Sequence, residues 1–187
     1  MPFYDDPKNA EDYIKMAKGY DGAELIAILD ERLAKNASVL ELGMGPGVDL
    51  DILANRYKVT GSDNAPYFLE RYKKTNPEAD LIELDAVEID TPRQFDCIYS
   101  NRVLHHFSDE ALDKSFQNQA RALHKDGLIF HSFWHGNEVM EMHGMTFHYR
   151  AVKDVTDRLN PHFELVDAQI YQEMDKDDSF WVCAKKR

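Results

Sequence analysis

Apolar and polar positions along this chain follow two periods in turn, one helical and one of short continuous runs. Leu25, Ile26, Ile28, Leu29 and Leu33 lie at helical spacing and form one apolar face. A short apolar run, Val39-Leu40-Glu41-Leu42, follows and is closed by Gly43, as a buried strand would be. The same exchange predicts a helix over 49–57, a strand over 58–62, and a helix over 66–75 with Pro66 in its tolerant first turn. Strands are predicted over 81–84 and 95–100. Ser108 then caps a helix whose first acids, Asp109 and Glu110, complement the helix dipole. Leu112, Phe116, Ala120 and Leu123 form its stripe, and Asp126-Gly127 ends it. A strand over 128–133, a helix over 152–159 and two strands over 163–171 and 179–183 close the chain, the last two around the acidic turn 175–178.

Strands alternating with helices imply an α/β fold, a largely parallel sheet with helices on both faces. No repeat, low-complexity stretch or linker interrupts the 187 residues, so one domain over 1–187 is expected. Within it, 1–35 reads as an N-terminal helical cap segment, 36–133 as the core, and 134–187 as a loop followed by the closing strands. Ligands in such sheets bind at the carboxyl ends of the strands, near the point where strand order reverses.

Charge narrows the function classes. The formal net charge of −12 repels phosphate backbones, which disfavours a nucleic-acid partner. The basic triplet Lys185-Lys186-Arg187 reads as a solvated tail. Cys97 and Cys183 each sit in an apolar run without CxxC spacing, against both a disulfide scaffold and a thiolate metal site. The acidic start Met1-Pro2-Phe3-Tyr4-Asp5-Asp6 lacks the features of a secretory leader, and no run reaches the ~18 apolar residues of a membrane span. A cytoplasmic protein is the expectation. His131 and His135 are four apart, but within a strand they do not share a face; with His143 and His148 they lack the spacing of known ligand sets, so no metal site is assigned.

The first strand ends in Glu41-Leu42-Gly43-Met44-Gly45-Pro46-Gly47. A strand-to-helix turn passing close under a ligand needs glycines, because a Cβ would collide. A dinucleotide fingerprint starting at Gly43 and Gly45 would require glycine where Val48 stands, which argues against a nicotinamide cofactor. Asp63 follows about 20 residues after the loop, where an acid at the end of a second strand bonds ribose hydroxyls. Asp85 ends the third strand, positioned to accept from an adenine amino group. Asp96 and Asn101 flank the fourth, so four successive strand ends are expected to offer polar groups on one edge.

These segments, in order, resemble the class I S-adenosylmethionine (SAM)-dependent methyltransferases. Glu41–Gly47 is similar to their E/D-x-G-x-G-x-G motif, Val59–Asn64 to their second motif, and Leu84-Asp85-Ala86 to their acidic adenine motif. Phe95–His106 resembles their fourth-strand segment, which reads F-D-x-I and ends in L-H-H, and the likeness covers roughly 36–133. It implies a Rossmann-like three-layer sandwich with a mostly parallel seven-stranded sheet and an antiparallel last strand. It also implies SAM as cofactor and S-adenosylhomocysteine as product. Gly43, Met44 and Gly45 would run beneath the methionine portion, with Glu41 steadying the loop or the ammonium. Asp63 and Asn64 would hold the ribose, Asp85 and Ala86 the adenine, Ser100 and Asn101 the methionine end, and Tyr20 would fold over the site.

Methyl transfer from a sulfonium asks mainly for alignment and exclusion of water, with a base only where the acceptor keeps a proton. His105 and His106 are the candidate bases; the competing reading is that they pack or orient the loop. Trp134, His135, His143, Phe147 and Tyr149 are candidates for the acceptor wall, against the reading that they simply cover the core. A small-molecule acceptor is expected, since no separate substrate domain is visible, and a homodimer stays open. Two rival readings also stay open: a SAM-binding module without catalysis, and a nicotinamide-dependent oxidoreductase.

Overall fold

Val39, Leu40 and Leu42 are wholly buried in β1 (Ser38–Leu42), which runs down the middle of the sheet in a computed structural model describing residues 6–142 and 144–187. A strand apolar on both faces has helices on both sides, and this chain supplies them. β1 is followed by α3 (Val48–Leu53), β2 (Lys58–Asp63), α4 (Pro66–Thr75), β3 (Leu81–Glu83) and β4 (Phe95–Asn101). A single 3-10 turn, Leu104–His106, leads to α5 (Asp109–Ala122) and β5 (Leu123–Trp134). Then come the hairpin β6 (Val139–Met142) and β7 (Met145–His148), α6 (Val152–Leu159), β8 (Phe163–Tyr171) and β9 (Ser179–Lys186). Two helices precede β1: α1 (Pro7–Met16), whose N-cap Asp6 accepts from the Lys8 amide, and α2 (Ala23–Asp30).

The seven-stranded sheet has the order β3-β2-β1-β4-β5-β9-β8, with β9 antiparallel to both of its neighbours. One face packs Leu40, Phe116, Phe133 and Phe180 under α5 and α6. The other packs Leu25, Leu29, Tyr99 and Trp181 under α2 and α3. On that second face Tyr99, Phe130 and Trp181 stack in turn, and the Arg32 guanidinium covers the indole at 5.3 Å. Strand order reverses between β1 and β4, so their carboxyl ends form the crevice where ligands of such sheets bind. Among the described residues no helix is long and apolar enough to cross a membrane.

Four sequence expectations shift. The second core helix spans Val48–Leu53 rather than 49–57. The helix expected to run to Asp126-Gly127 stops at Ala122, because Leu123 is claimed by the sheet as the partner of Phe95, ahead of a bulge in the β4–β5 pairing. The loop expected after β5 contains the hairpin β6–β7. Asp96 stands at the amino end of β4, where it accepts from the Ser38 amide and hydroxyl, both at 2.8 Å. It belongs to the opposite edge of the sheet, which leaves Asn101 as the polar residue at the carboxyl end of β4.

Candidate functional site

The glycine loop lies at the carboxyl end of β1. Gly43 has φ +64°, and a Cβ there would come within 2.7 Å of Val103 Cγ2. Gly45 has φ +48° and is buried, a Cβ there coming to ordinary contact distance, 3.6 Å, from Tyr13 Cε1. Gly43 is required by packing as well as by its backbone, and Gly45 by its left-handed backbone alone. The loop is held from β2: the Met44 amide donates to the Ser62 carbonyl at 2.8 Å, and the Gly45 amide to Asp63 Oδ2 at 2.9 Å. The Met44 side chain turns inward to Leu50 and Tyr72, so only its backbone faces the crevice.

Asp63 is buried at the end of β2, and its Oδ1 accepts from the Ala65 amide at 2.9 Å. Burial raises its pKa, and the backbone N–H groups partly oppose that rise. Glu41 is buried beside it, and its Oε2 has no partner among the described residues. Desolvation, reinforced by the charges of Asp49, Asp63 and Asp51, pushes the Glu41 carboxyl well above the usual range. An unpartnered carboxylate oxygen among like charges is costly by itself and suits a cation brought to it.

The sign of that cost is testable. A glutamate with a raised folded-state pKa favours folding below the ordinary glutamate range and opposes it as the pH rises through the folded value. Glu41→Gln is therefore expected to raise the melting temperature of the ligand-free protein at pH 8 by more than at pH 4, while weakening SAM binding about tenfold, one charge-assisted contact's worth. Melting curves and calorimetry at both pH values check it; an equal or smaller gain at pH 8 counts against the assignment.

Asp49, in the first turn of α3, joins the site to the segment before α2. Its Oδ1 accepts from the Gly22 amide at 2.7 Å, and its Oδ2 from the Tyr99 hydroxyl at 2.9 Å and Asn101 Nδ2 at 3.1 Å. Asn101 Oδ1 accepts in turn from Ser132. Ser100 is engaged below the surface, its hydroxyl 2.8 Å from His131 Nδ1. On the adenine side, Asp85 is exposed and caps its own turn through the Val87 amide at 2.6 Å. The Ala86 carbonyl is tied to Ser115, and Asn64 is exposed beside Asp63.

The N-terminal helix covers this edge. Ala10 and Tyr13 of α1 pack on Ala65 and Phe68, while Glu11 accepts from the Tyr67 hydroxyl and Arg71. Tyr13 thereby lies over the glycine loop, and burial raises its pKa. Tyr20 is exposed at the rim, its ring 6.0 Å from the Arg102 guanidinium.

The two candidate bases pair with each other. His106 Nδ1 lies 2.9 Å from the Thr146 carbonyl, which requires that nitrogen to carry the proton. His106 Nε2 then accepts from His105 Nε2 at 3.1 Å, and the buried His105 Nδ1 has no partner among the described residues. Desolvation first, then the neighbouring histidine, lowers His105 well below 6.5, and desolvation lowers His106 as well. Phe147 of β7 stacks on His105 at 5.5 Å and meets His106 edge-on at 4.7 Å. Trp134 stacks on Tyr149 at 6.2 Å. The hairpin is thus laid across the histidine pair.

Tyr20, Glu41, the glycines, Asp63, Asn101, the histidine pair, Trp134, Phe147 and Tyr149 all gather at or beside one sheet edge. His135 is engaged elsewhere: its Nδ1 donates to the Asp177 carbonyl at 2.9 Å and its ring meets Phe180, so it anchors the β8–β9 turn. His143 lies outside the described residues. Asp49, Tyr13 and Arg102 are the site residues sequence reasoning missed. The surface hollow lined by Arg32, Asn36, Asp96, Asp126 and Lys185 opens at the opposite edge, away from this chemistry.

Residues 39–127 match the methyltransferase-domain family. Over 91 residues the chain is 35% identical to the trans-aconitate 2-methyltransferase of Enterobacter sp. (strain 638), a match covering 44% of this chain and 36% of that protein. The chain thus spans about a third of that curated relative. Among solved structures, the 1,6-didemethyltoxoflavin-N1-methyltransferase of Burkholderia thailandensis, with its toxoflavin precursor and S-adenosylhomocysteine bound, superposes with TM-score 0.81 at 19% identity, covering 96% of this chain and 84% of that one. A TehB-like SAM-dependent methyltransferase from Corynebacterium glutamicum gives TM-score 0.76 at 22% identity, covering 97% and 100%. At those identities the likeness is one of fold.

Proposed function

We propose that this chain is a class I SAM-dependent methyltransferase that transfers the methyl group of SAM to a small-molecule acceptor, a reading supported by the family match over residues 39–127 and by the sheet order. The observation that carries the reading is Glu41 Oε2, a buried carboxylate oxygen with no partner among the described residues, beside the Gly43–Gly45 turn. A cationic amino acid end brought over that loop supplies the missing partner. Asp63 keeps lone pairs for ribose hydroxyls after binding two amides, and Asp85 and Ala86 flank the adenine position beyond β3. Asn101, held by Asp49 and Ser132, fronts the methionine end. When bound, SAM supplies an electrophilic methyl carbon on sulfur.

Trp134, Phe147 and Tyr149 form an aromatic wall that excludes water from the acceptor side. Small-molecule acceptors fit the names of the relatives: trans-aconitate for one, 1,6-didemethyltoxoflavin for the other. Incubation with methyl-labelled SAM and a metabolite extract is expected to yield S-adenosylhomocysteine together with a labelled product of low mass. Tight SAM binding without acceptor-dependent turnover would point to a binding module instead. Binding of NAD but not SAM would revive the oxidoreductase.

His106 is expected to act through packing rather than as the base, because its free nitrogen is committed to His105 and its proton to Thr146. His106→Ala should then lower turnover less than about tenfold and leave the pH profile unmoved, whereas losing a general base costs about 10²–10⁴-fold. A hundredfold loss with a displaced pH profile would restore it as the base.

A further inference from the structure

Arg102 stands where β4 leaves the sheet. Its backbone has φ +56°, an uncommon conformation for a residue with a side chain. The structure holds it there, since the Arg102 amide donates to Ser132 Oγ at 3.0 Å, the hydroxyl that also binds Asn101. Strain of this kind persists where surrounding contacts impose it, and it concentrates at functional sites. Its effect here is to send a guanidinium across the mouth of the crevice. Tyr20 lies under it at 6.0 Å, and its charge is felt by Tyr13 and by His105.

The guanidinium is poorly satisfied for its position. It carries five N–H donors in a planar fork. Among the described residues its one ionic contact is Nη1 to Glu173 Oε1 at 3.4 Å, a distance outside good hydrogen-bond geometry, and its side chain is 24% exposed. Glu173 is itself occupied, since its Oε2 accepts from the Tyr171 hydroxyl at 2.9 Å. Glu173 therefore steadies the guanidinium without saturating it. A partly buried arginine with free paired donors, set against an aromatic face, has the geometry that recognises a carboxylate with two parallel bonds.

We propose that Arg102 anchors a carboxylate of the methyl acceptor, so that the acceptor class is an organic acid. This rests on the methyltransferase reading for the word acceptor. The carboxylate chemistry itself stands on Arg102, and the one competing source is the carboxylate of SAM's own methionine end. Glu173, facing Arg102 from the β8–β9 turn, sets how tightly the acid is held: the weaker its grip, the freer the fork.

The probes are benzoate and benzamide, matched in shape and differing in charge, titrated by ligand-observed NMR into the protein with and without saturating S-adenosylhomocysteine. Wild type is expected to bind benzoate at least tenfold more tightly than benzamide. Arg102→Gln should abolish that preference while changing S-adenosylhomocysteine affinity less than threefold by calorimetry. Glu173→Gln should move the other way, tightening benzoate several-fold, which a merely structural ion pair would not do. Equal binding of the two probes, or a preference that survives Arg102→Gln, overturns the proposal. A tenfold loss of S-adenosylhomocysteine affinity in Arg102→Gln also overturns it, by assigning the arginine to the cofactor. If wild type binds benzoate selectively but takes up neither SAM nor its product, the methyltransferase reading fails and the carboxylate site stands.

Discussion

Replacing Asp63 by alanine is expected to weaken S-adenosylhomocysteine binding by at least ~100-fold, because a diol held by this carboxylate gains two charge-assisted bonds of about 1.5–3 kcal/mol each. The side chain is placed for that work before any ligand arrives. Its oxygens already accept from the Gly45 and Ala65 amides, which fixes the carboxylate and spends little ordering entropy on binding. The alanine variant also releases the Gly45 amide, so loop shape and ribose contact fail together. Asp63→Asn keeps the volume but offers one acceptor oxygen instead of two, so it gives up the charge and one of the two backbone amides while keeping the other. It should lose at least tenfold in affinity while melting within a few degrees of wild type, because ionised Asp63 already bears a desolvation cost. Calorimetry on variants shown to be folded by circular dichroism decides the matter. An alanine variant that binds within threefold of wild type would remove the ribose from this end of β2.

The central part of the fold was legible because its physics is local. Val39–Leu42 is an apolar run closed by glycine, and Pro66–Thr75 is a helix whose ends and Pro position match the sequence reading. Glu41 and Asp63 sit on adjacent parallel strands β1 and β2, with Gly45 in the loop that leaves β1, so naming the strand ends was enough to bring them together. Asp96 does not share that edge, because it is the second residue of β4 and its carboxylate pairs with Ser38 at the amino end of the sheet.

What the sequence hid was convergence from distant elements. Asp49 reads as one more acid in a helix start, and its meeting with Gly22, Tyr99 and Asn101 depends on three other segments. Tyr13 covers the glycine loop only because α1 packs on α4. The hairpin β6–β7 is four residues a side, with β6 exposed along its length, too short and too polar in environment to announce itself as strands. Arg102 carries no periodic signal at all; its left-handed backbone appears only in three dimensions. Each of these residues lies on the ligand side of the sheet, where local preference gives way to the shape of the site.

His131 offers the largest stability effect outside the apolar core. It is wholly buried on β5, and its ring links two halves of the site through one continuous chain. Nδ1 accepts from Ser100 at 2.8 Å, Nε2 donates to Gln119 Oε1 at 2.7 Å, Gln119 Nε2 donates to Ser115 at 3.0 Å, and Ser115 donates to the Ala86 carbonyl at 2.6 Å. Every donor in that chain has an acceptor when the ring is neutral, and burial pushes its pKa down to about 3. His131→Ala strands the Ser100 hydroxyl and the Gln119 carbonyl and opens a cavity, for an expected loss of about 3 kcal/mol, or roughly 6–12 °C in Tm for a chain of this size. Gln119→Leu keeps the volume and breaks the same chain, so the two losses should couple by more than ~0.5 kcal/mol in a double-mutant cycle. The sign with pH is equally definite. A histidine held neutral contributes stability above its unfolded value near 6.5 and loses it as pH falls toward about 3, so the variant should show a flatter acid limb than wild type. Denaturant melts from pH 7 to 4 measure both quantities. Additive losses with an unchanged acid limb would mean that His131 fills space, and that adenine and methionine sides of the site are held independently.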